Sequence, residues 1–427
     1  MNLIKEIKSE RIGDKYYEIK HSSGLKIFIY PKENNNSTYA VFGTKYGSID
    51  MCFKTSEQNE PNKVPAGIAH YLEHKLFESE DGDAFERYAK TGASANAYTS
   101  FDVTCYLFSC TENVYDSLEI LLDFVQSPYF TEQTVQKEQG IIGQEIRMYD
   151  DDPQWRVLFN LLGALYQNHP VKTDIAGTVE SIAKITPDLL YQCYNTFYNL
   201  NNMALSIAGN VDVNKVLELC DKILKPSAPV SVDRMFEKEP QEIVKNGIEQ
   251  KLSVAAPIFE FGFKELAGKE RVTVKELAET EILLDLLASD ASPLFRRLLD
   301  AGLINQSSFS YEYFEGPGYA SVIFSGESKD PDAVAEEIKK EIAKVRKDGI
   351  DKAAFERSQK AVYGRIVSSF NSVDYLANSM VADAFSNREL FSYIDSVASA
   401  DVASVQNRLK TQLAPEYSAL SIVKPLD

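Results

Sequence analysis

The residues best equipped for chemistry stand together at His70-Tyr71-Leu72-Glu73-His74. Histidine is scarce, with 4 in a chain of 427 residues, and two of them fall in this one window. On a helix, positions four apart are separated by about 40° of rotation, so both imidazoles share a face, with the Glu73 carboxylate beside them. Two imidazoles so placed can hold a zinc ion while the glutamate reaches a water at the same ion. The order is HxxEH, the reverse of HExxH. At this composition chance supplies only about 0.003 such matches per chain. The competing reading is a pair of buried histidines satisfied by neighbouring carbonyls, which their scarcity disfavours.

A catalytic zinc usually takes three protein ligands. His21 falls in an expected hairpin turn and His169 precedes Pro170 in a loop, so a carboxylate is the natural third ligand. The helix expected after Phe130 carries Glu138 and Glu145, seven residues apart and so nearly on one face. Spacing alone does not choose between them, nor does it exclude Asp150 or Asp151. Other chemistries lack a visible home: there is no GxxxxGK[ST], GxGxxG or GxSxG segment. A cysteine nucleophile at Cys105 or Cys110 is formally open, but the histidines are better used as ligands.

The elements that must position these residues follow an α+β pattern. Two strands within 14–32 flank the turn His21-Ser22-Ser23-Gly24, and a third covers 38–45. Helices are expected at 66–78 and 83–90, short strands at 94–100 and 103–109, then helices through 113–166. A strand at 202–208 and a helix at 212–223 complete this half. The second half repeats the plan: a strand at 253–264, helices at 272–289 and 292–301, strands at 306–313 and 318–325, and long helices from 330. A gapless offset of 220 lays Phe130-Thr131, Val135, Gln139 and Ile146 over Ile350-Asp351, Phe355, Gln359 and Ile366. Any two amphipathic helices can be overlaid, but the shared order on both sides favours duplication. Pro226, Pro229 and Pro240 among charges mark 226–245 as a linker. The expected domains are therefore 1–225, bearing the metal residues, and 246–427, a homologous repeat.

Composition narrows the class. Apolar residues make up 44% and charged residues 25%, which excludes wholesale disorder. A net charge of −18 repels phosphate backbones and anionic membranes, so nucleic acid and membrane are poor partners. Five cysteines without a CxxC pair do not form a disulfide framework. The N-terminus has no apolar signal core and no stretch suits a membrane helix, so a cytoplasmic location is expected.

Two segments then carry a resemblance: 67–77, containing HxxEH, and 138–153, Glu-Gln-Gly-Ile-Ile-Gly-Gln-Glu-Ile-Arg-Met-Tyr-Asp-Asp-Asp-Pro. HxxEH followed by Glu-x₆-Glu resembles the pitrilysin–insulinase family of inverzincin zinc peptidases. The likeness extends over essentially the whole chain and is nearest to the short bacterial YmfH-like group. It implies two homologous α/β repeats, each a mixed or antiparallel sheet covered by helices. It also implies one zinc held by His70, His74 and Glu145, Glu73 as general base, and Glu138 as a supporting carboxylate. Arg365 overlies Glu145 at the same offset, and no HxxEH occurs near 275–295, so the second repeat lacks the ligands.

The resemblance further implies that Ala95, Asn96, Ala97, Tyr98 and Thr99 form an edge strand on which an extended peptide pairs, with Asn96 orienting the scissile carbonyl. An ordinary half-buried strand is the plain alternative. The chain departs from the family where an Arg and a Tyr face the developing oxyanion: Leu299 and Asn305 stand there instead. Arg296, Arg297, Tyr311 or Tyr313 could compensate, or a homologous zinc-less partner could supply the pair within a homodimer or heterodimer. The expected function is a zinc endopeptidase acting on extended peptides or unfolded segments. The rival is a non-catalytic assembly or peptide-binding subunit of the same fold.

Overall fold

The computed structural model describes residues 2–80, 82–265 and 271–426. Two sheets organise it. The first is built from β1 (Leu3–Lys8), β2 (Lys15–Lys20), β3 (Lys26–Pro31), β4 (Thr38–Thr44), β5 (Ser94–Thr99), β6 (Thr104–Cys110) and β7 (Met203–Gly209). Its seven strands run in the order β1-β2-β3-β7-β4-β6-β5. The second contains β8 (Gly247–Leu252), β9 (Ile258–Lys264), β10 (Ser310–Gly316), β11 (Tyr319–Glu327) and β12 (Ser418–Pro425), ordered β8-β12-β9-β11-β10.

The second order reproduces β3-β7-β4-β6-β5, including the parallel first pair followed by antiparallel neighbours. The fold is thus a mixed α/β architecture of two like-patterned sheets. β1 was not anticipated from sequence: its exposure pattern is almost wholly outward, which gives no period-2 signal. The strand expected at 253–264 starts only at Ile258, after Pro257, whose missing N–H cannot join a ladder, and β8, just before that range, was not anticipated.

Six helices frame the candidate site and its counterpart: α1 (Ile68–Leu76), α2 (Glu132–Asp150), α3 (Pro153–Leu165), α4 (Val274–Ala288), α5 (Lys352–Ser369) and α6 (Val373–Ser386). The chain divides into two compact units that interleave in sequence. Unit 1 is Met1–Ile146, Asp174–Met235 and Val367–Phe391; unit 2 is Arg147–Thr173, Phe236–Ile366 and Ser392–Asp427. Helix α6 therefore belongs with the first sheet and α3 with the second.

The covering helices explain two glycines. A Cβ on Gly43 of β4 would lie 2.7 Å from the Val381 side chain of α6. One on Gly262 of β9 would lie 2.9 Å from Leu161 of α3. Leu161 and Val381 are again 220 residues apart. Val157 of α3 joins Ile258 and Val423 in the core of unit 2. In unit 1 the Ser206 hydroxyl donates to the Ala377 carbonyl at 2.6 Å.

Within 226–245, Val232–Arg234 pairs with Cys52–Thr55 in unit 1. Glu239 is buried in unit 2, where Lys264 and the N–H groups of Gln167, Asn168 and His169 hold it. Among the described residues no helix is long and apolar enough to cross a membrane.

Candidate metal centre

Helix α1 begins where Gly67 adopts φ 87°, a left-handed conformation. A Cβ there would lie 2.3 Å from the Ala176 carbonyl oxygen, so both backbone angle and space require glycine. Ile68, Ala69, Tyr71, Leu72 and Leu76 bury one side of the helix. The Tyr71 hydroxyl donates to the Val135 carbonyl of α2, fixing the two helices against each other. On α2, Val135, Ile142 and Ile146 are buried, which aims Glu138 and Glu145 toward α1.

The result is a convergence of three candidate ligands. His70 Nε2 lies 3.7 Å from Glu145 Oε1, and His74 Nε2 lies 3.4 Å from Glu145 Oε2. One donor atom from each residue can be chosen so that all three lie within 4.8 Å of one another. Two imidazoles and a carboxylate leaving an open position suit a catalytic zinc, so the residues present fit that ion. Glu138 reaches the other side of His74, with Oε1 3.0 Å from Nδ1. Spacing had left Glu138 and Glu145 undecided; the fold gives them different places. Asp150 lies at the far end of α2, ion-paired with Arg156 at 3.7 Å.

Electrostatics separates the groups. Burial, reinforced by the neighbouring His74, pushes His70 down to about 4, so its ring is neutral at pH 7. Burial also pulls on His74, but the Glu138 hydrogen bond and nearby carboxylates outweigh it and raise its pKa. Glu138 is lowered: burial opposes ionisation, but the bond to His74 prevails. Glu73 is raised, chiefly by burial, and only partly relieved by a hydrogen bond from Thr99 Oγ1 to its Oε2 at 2.8 Å.

β5 is the outermost strand of its sheet. Ser100 N–H donates to the Val103 carbonyl, so by alternation Ala95, Ala97 and Thr99 point their main-chain groups away from β6. Ala97 N–H instead donates to the Asn96 side-chain Oδ1 at 2.9 Å. Tyr98 turns to the other face and donates to Asn378 of α6 at 2.9 Å. A cleft of about 600 Å³ opens beside the centre, lined among others by Glu73, His74, Phe77, Asn96, Ala97 and Glu138. The Thr99–Glu73 bond was missed from sequence, because strand period gives a residue's face but not the helix lying under it.

The remaining histidines stand elsewhere. His21 bridges Ser23 and Asp221 at 2.8 and 2.9 Å, and His169 Nε2 lies 3.0 Å from the Pro317 carbonyl. Burial pushes the Cys105 and Cys110 thiols up to about 12 and about 11, unsuited to nucleophilic attack at neutral pH. In unit 2, Glu281 and Asp285 stand four apart on α4, and Arg365 of α5 donates to Asp285 at 2.7 Å. Arg365 is the residue that the offset of 220 lays over Glu145. Arg296 and Arg297 are paired with Asp300 and Glu341, and Tyr313 is buried against Glu265. Tyr311 lies 3.3 Å from Asp285.

Two like-patterned α/β units, one carrying an HxxEH helix opposite a Glu-bearing helix, define a peptidase architecture of the inverted zinc class. Residues 43–179 match the model of the insulinase peptidases (family M16), and 184–362 match that of the M16 inactive domain. The chain belongs to this family. It is similar to an uncharacterized zinc protease, YmfH, of Bacillus subtilis strain 168, with 41% identity over 99% of this chain and 100% of that protein. A putative M16-like peptidase from Alicyclobacillus acidocaldarius shares the fold with TM-score 0.91 and 34% identity, covering 100% of this chain and 99% of that one. Pitrilysin matches in fold with TM-score 0.72 and 18% identity, over 99% of this chain and 46% of its own.

Proposed function

We propose that the protein is a zinc-dependent endopeptidase that cleaves extended peptides or unfolded segments. The observation that carries this is the convergence of His70, His74 and Glu145 with Glu73 beside them. When bound, zinc would polarise the scissile carbonyl and make water more acidic. Glu73 takes the proton from the attacking water and delivers it to the leaving amine. Glu138 holds His74 through Nδ1, leaving Nε2 for the ion. The outward groups of Ala95, Ala97 and Thr99 pair with the substrate backbone as an added strand, so affinity comes mainly from main-chain hydrogen bonds. Asn96 must release Ala97 N–H and is then free to contact the substrate.

Leu299 and Asn305 stand where an Arg and a Tyr are expected, so a homologous zinc-less subunit is proposed to supply that pair. Five free cysteines suit a reducing, cytoplasmic setting. The test is zinc content and cleavage of a quenched peptide, for wild type and Glu73→Gln, with and without co-purified partners. Metal retained and activity lost in Glu73→Gln supports the reading; cleavage unchanged by that substitution overturns it. Full activity of the isolated chain would remove the partner from the proposal.

A further inference from the structure

Thr99 occupies a double position. Its main chain faces the open edge of β5, while its hydroxyl reaches Glu73 Oε2 at 2.8 Å. A threonine hydroxyl has one proton to give. The second oxygen in reach, Thr104 Oγ1, is 3.4 Å away and donates its own proton to the Tyr46 carbonyl at 2.9 Å. The shorter contact to a carboxylate is the stronger one, so the Thr99 proton is committed to Glu73. Thr104 is fully buried and Glu73 is 8% exposed, so neither partner is free to drift. Thr99 is also β-branched, which restricts χ1 and holds the hydroxyl where β5 places it.

Resting on the peptidase reading, we infer that Thr99 is a positioning residue: its side chain orients Glu73 and does not itself contact substrate. The bond takes up Oε2 and leaves Oε1 to meet the reacting water. Because the same residue contributes main-chain groups to the peptide-pairing edge, the base is held in fixed register with the strand that presents the scissile bond. A peptide docked one residue out of register would then meet a base aimed at the wrong carbonyl.

The experiment compares wild type, Thr99→Val, Thr99→Ser, Glu73→Gln and the Glu73→Gln/Thr99→Val double variant. Thr99→Val keeps the shape and removes the donor. Its kcat on a quenched peptide should fall about 10- to 100-fold with KM within about twofold, part of what a general base contributes. Thr99→Ser should recover kcat to within a few fold, and zinc affinity, by chelator competition, should stay within about twofold. Peptide affinity of Glu73→Gln, by fluorescence anisotropy, should not change when Thr99→Val is added. In crystals of Thr99→Val the Glu73 carboxylate should leave its present position. A raised KM at unchanged kcat would make Thr99 a substrate contact and overturn the inference; so would an unmoved Glu73 carboxylate. Should the wild type not cleave peptides at all, the peptidase reading fails, and the crystallographic comparison still decides the positioning.

Discussion

Glu138 Oε1 lies 3.0 Å from Nδ1 of His74, on the side of the ring away from Glu145. This contact fixes the tautomer that leaves Nε2 as a donor for a metal and makes the ring more basic. Replacing Glu138 with Ala should weaken zinc binding by about 10- to 100-fold without removing any of the three candidate ligands. Competition with a chromophoric chelator measures it. Affinity equal to wild type would detach Glu138 from the metal centre.

The counterpart in unit 2 makes the opposite prediction about metal. Arg365 pairs with Asp285 at 2.7 Å, and the Asp285 side chain is 4% exposed while that of Arg365 is 54% exposed. Arg365→Ala leaves the buried Asp285 carboxylate without its guanidinium, with the Tyr311 hydroxyl 3.3 Å away. Stability should fall by on the order of 1–2 kcal/mol, discounted because the guanidinium is half in solvent. Zinc stoichiometry should remain one per chain. A loss of zinc in this variant would tie Arg365 to the metal.

These two neighbourhoods show what the sequence could and could not reveal. HxxEH on a helix needs only local periodicity, so His70, Glu73 and His74 were readable. The offset of 220 was equally readable, because Val135, Ile146, Phe355 and Ile366 repeat one apolar spacing. The interleaving of the units was not: α3 and α6 have ordinary apolar faces, and periodicity does not say which sheet covers a face. Thr99 failed for the same reason. Its strand was expected, but the glutamate beneath it lies on an element 26 residues earlier. Glu138 and Glu145 were tied by spacing, and only the packing of α2 on α1 separates them.

Glu260 gives a pH dependence with a definite sign. It lies on β9, 9% exposed, and its Oε2 makes no hydrogen bond. Burial, aided by the nearby Glu312, pushes its pKa from 4.5 up to about 8. The folded state therefore binds more protons than the unfolded chain between these values, and stability falls as pH rises from about 4.5 to 8, levelling above. Glu260→Gln removes that dependence. Its melting temperature should exceed wild type by several degrees at pH 8.5, and the gap should close toward pH 5. Calorimetry at the two pH values checks this; a gap that is equal at both would mean that Glu260 is not carrying a raised pKa.

The edge strand can be tested without touching the metal centre. Ala97 directs its N–H away from β6, where Asn96 Oδ1 accepts it. Proline at 97 therefore removes a donor from the open edge while sparing the ladder to β6, a strand context in which proline is tolerated. It also closes that position to an incoming peptide, since the added strand loses a hydrogen bond and meets the ring. Ala97→Pro should retain zinc and melt near wild type, yet bind peptide to the Glu73→Gln background at least about tenfold more weakly, the cost of a lost bond with a buried acceptor left unpaired. A weaker effect from an alanine at Asn96 would place the affinity in the main chain. Peptide affinity unchanged by Ala97→Pro would mean that substrate does not pair along β5, and the cleft beside His74 would have to bind it through side chains instead.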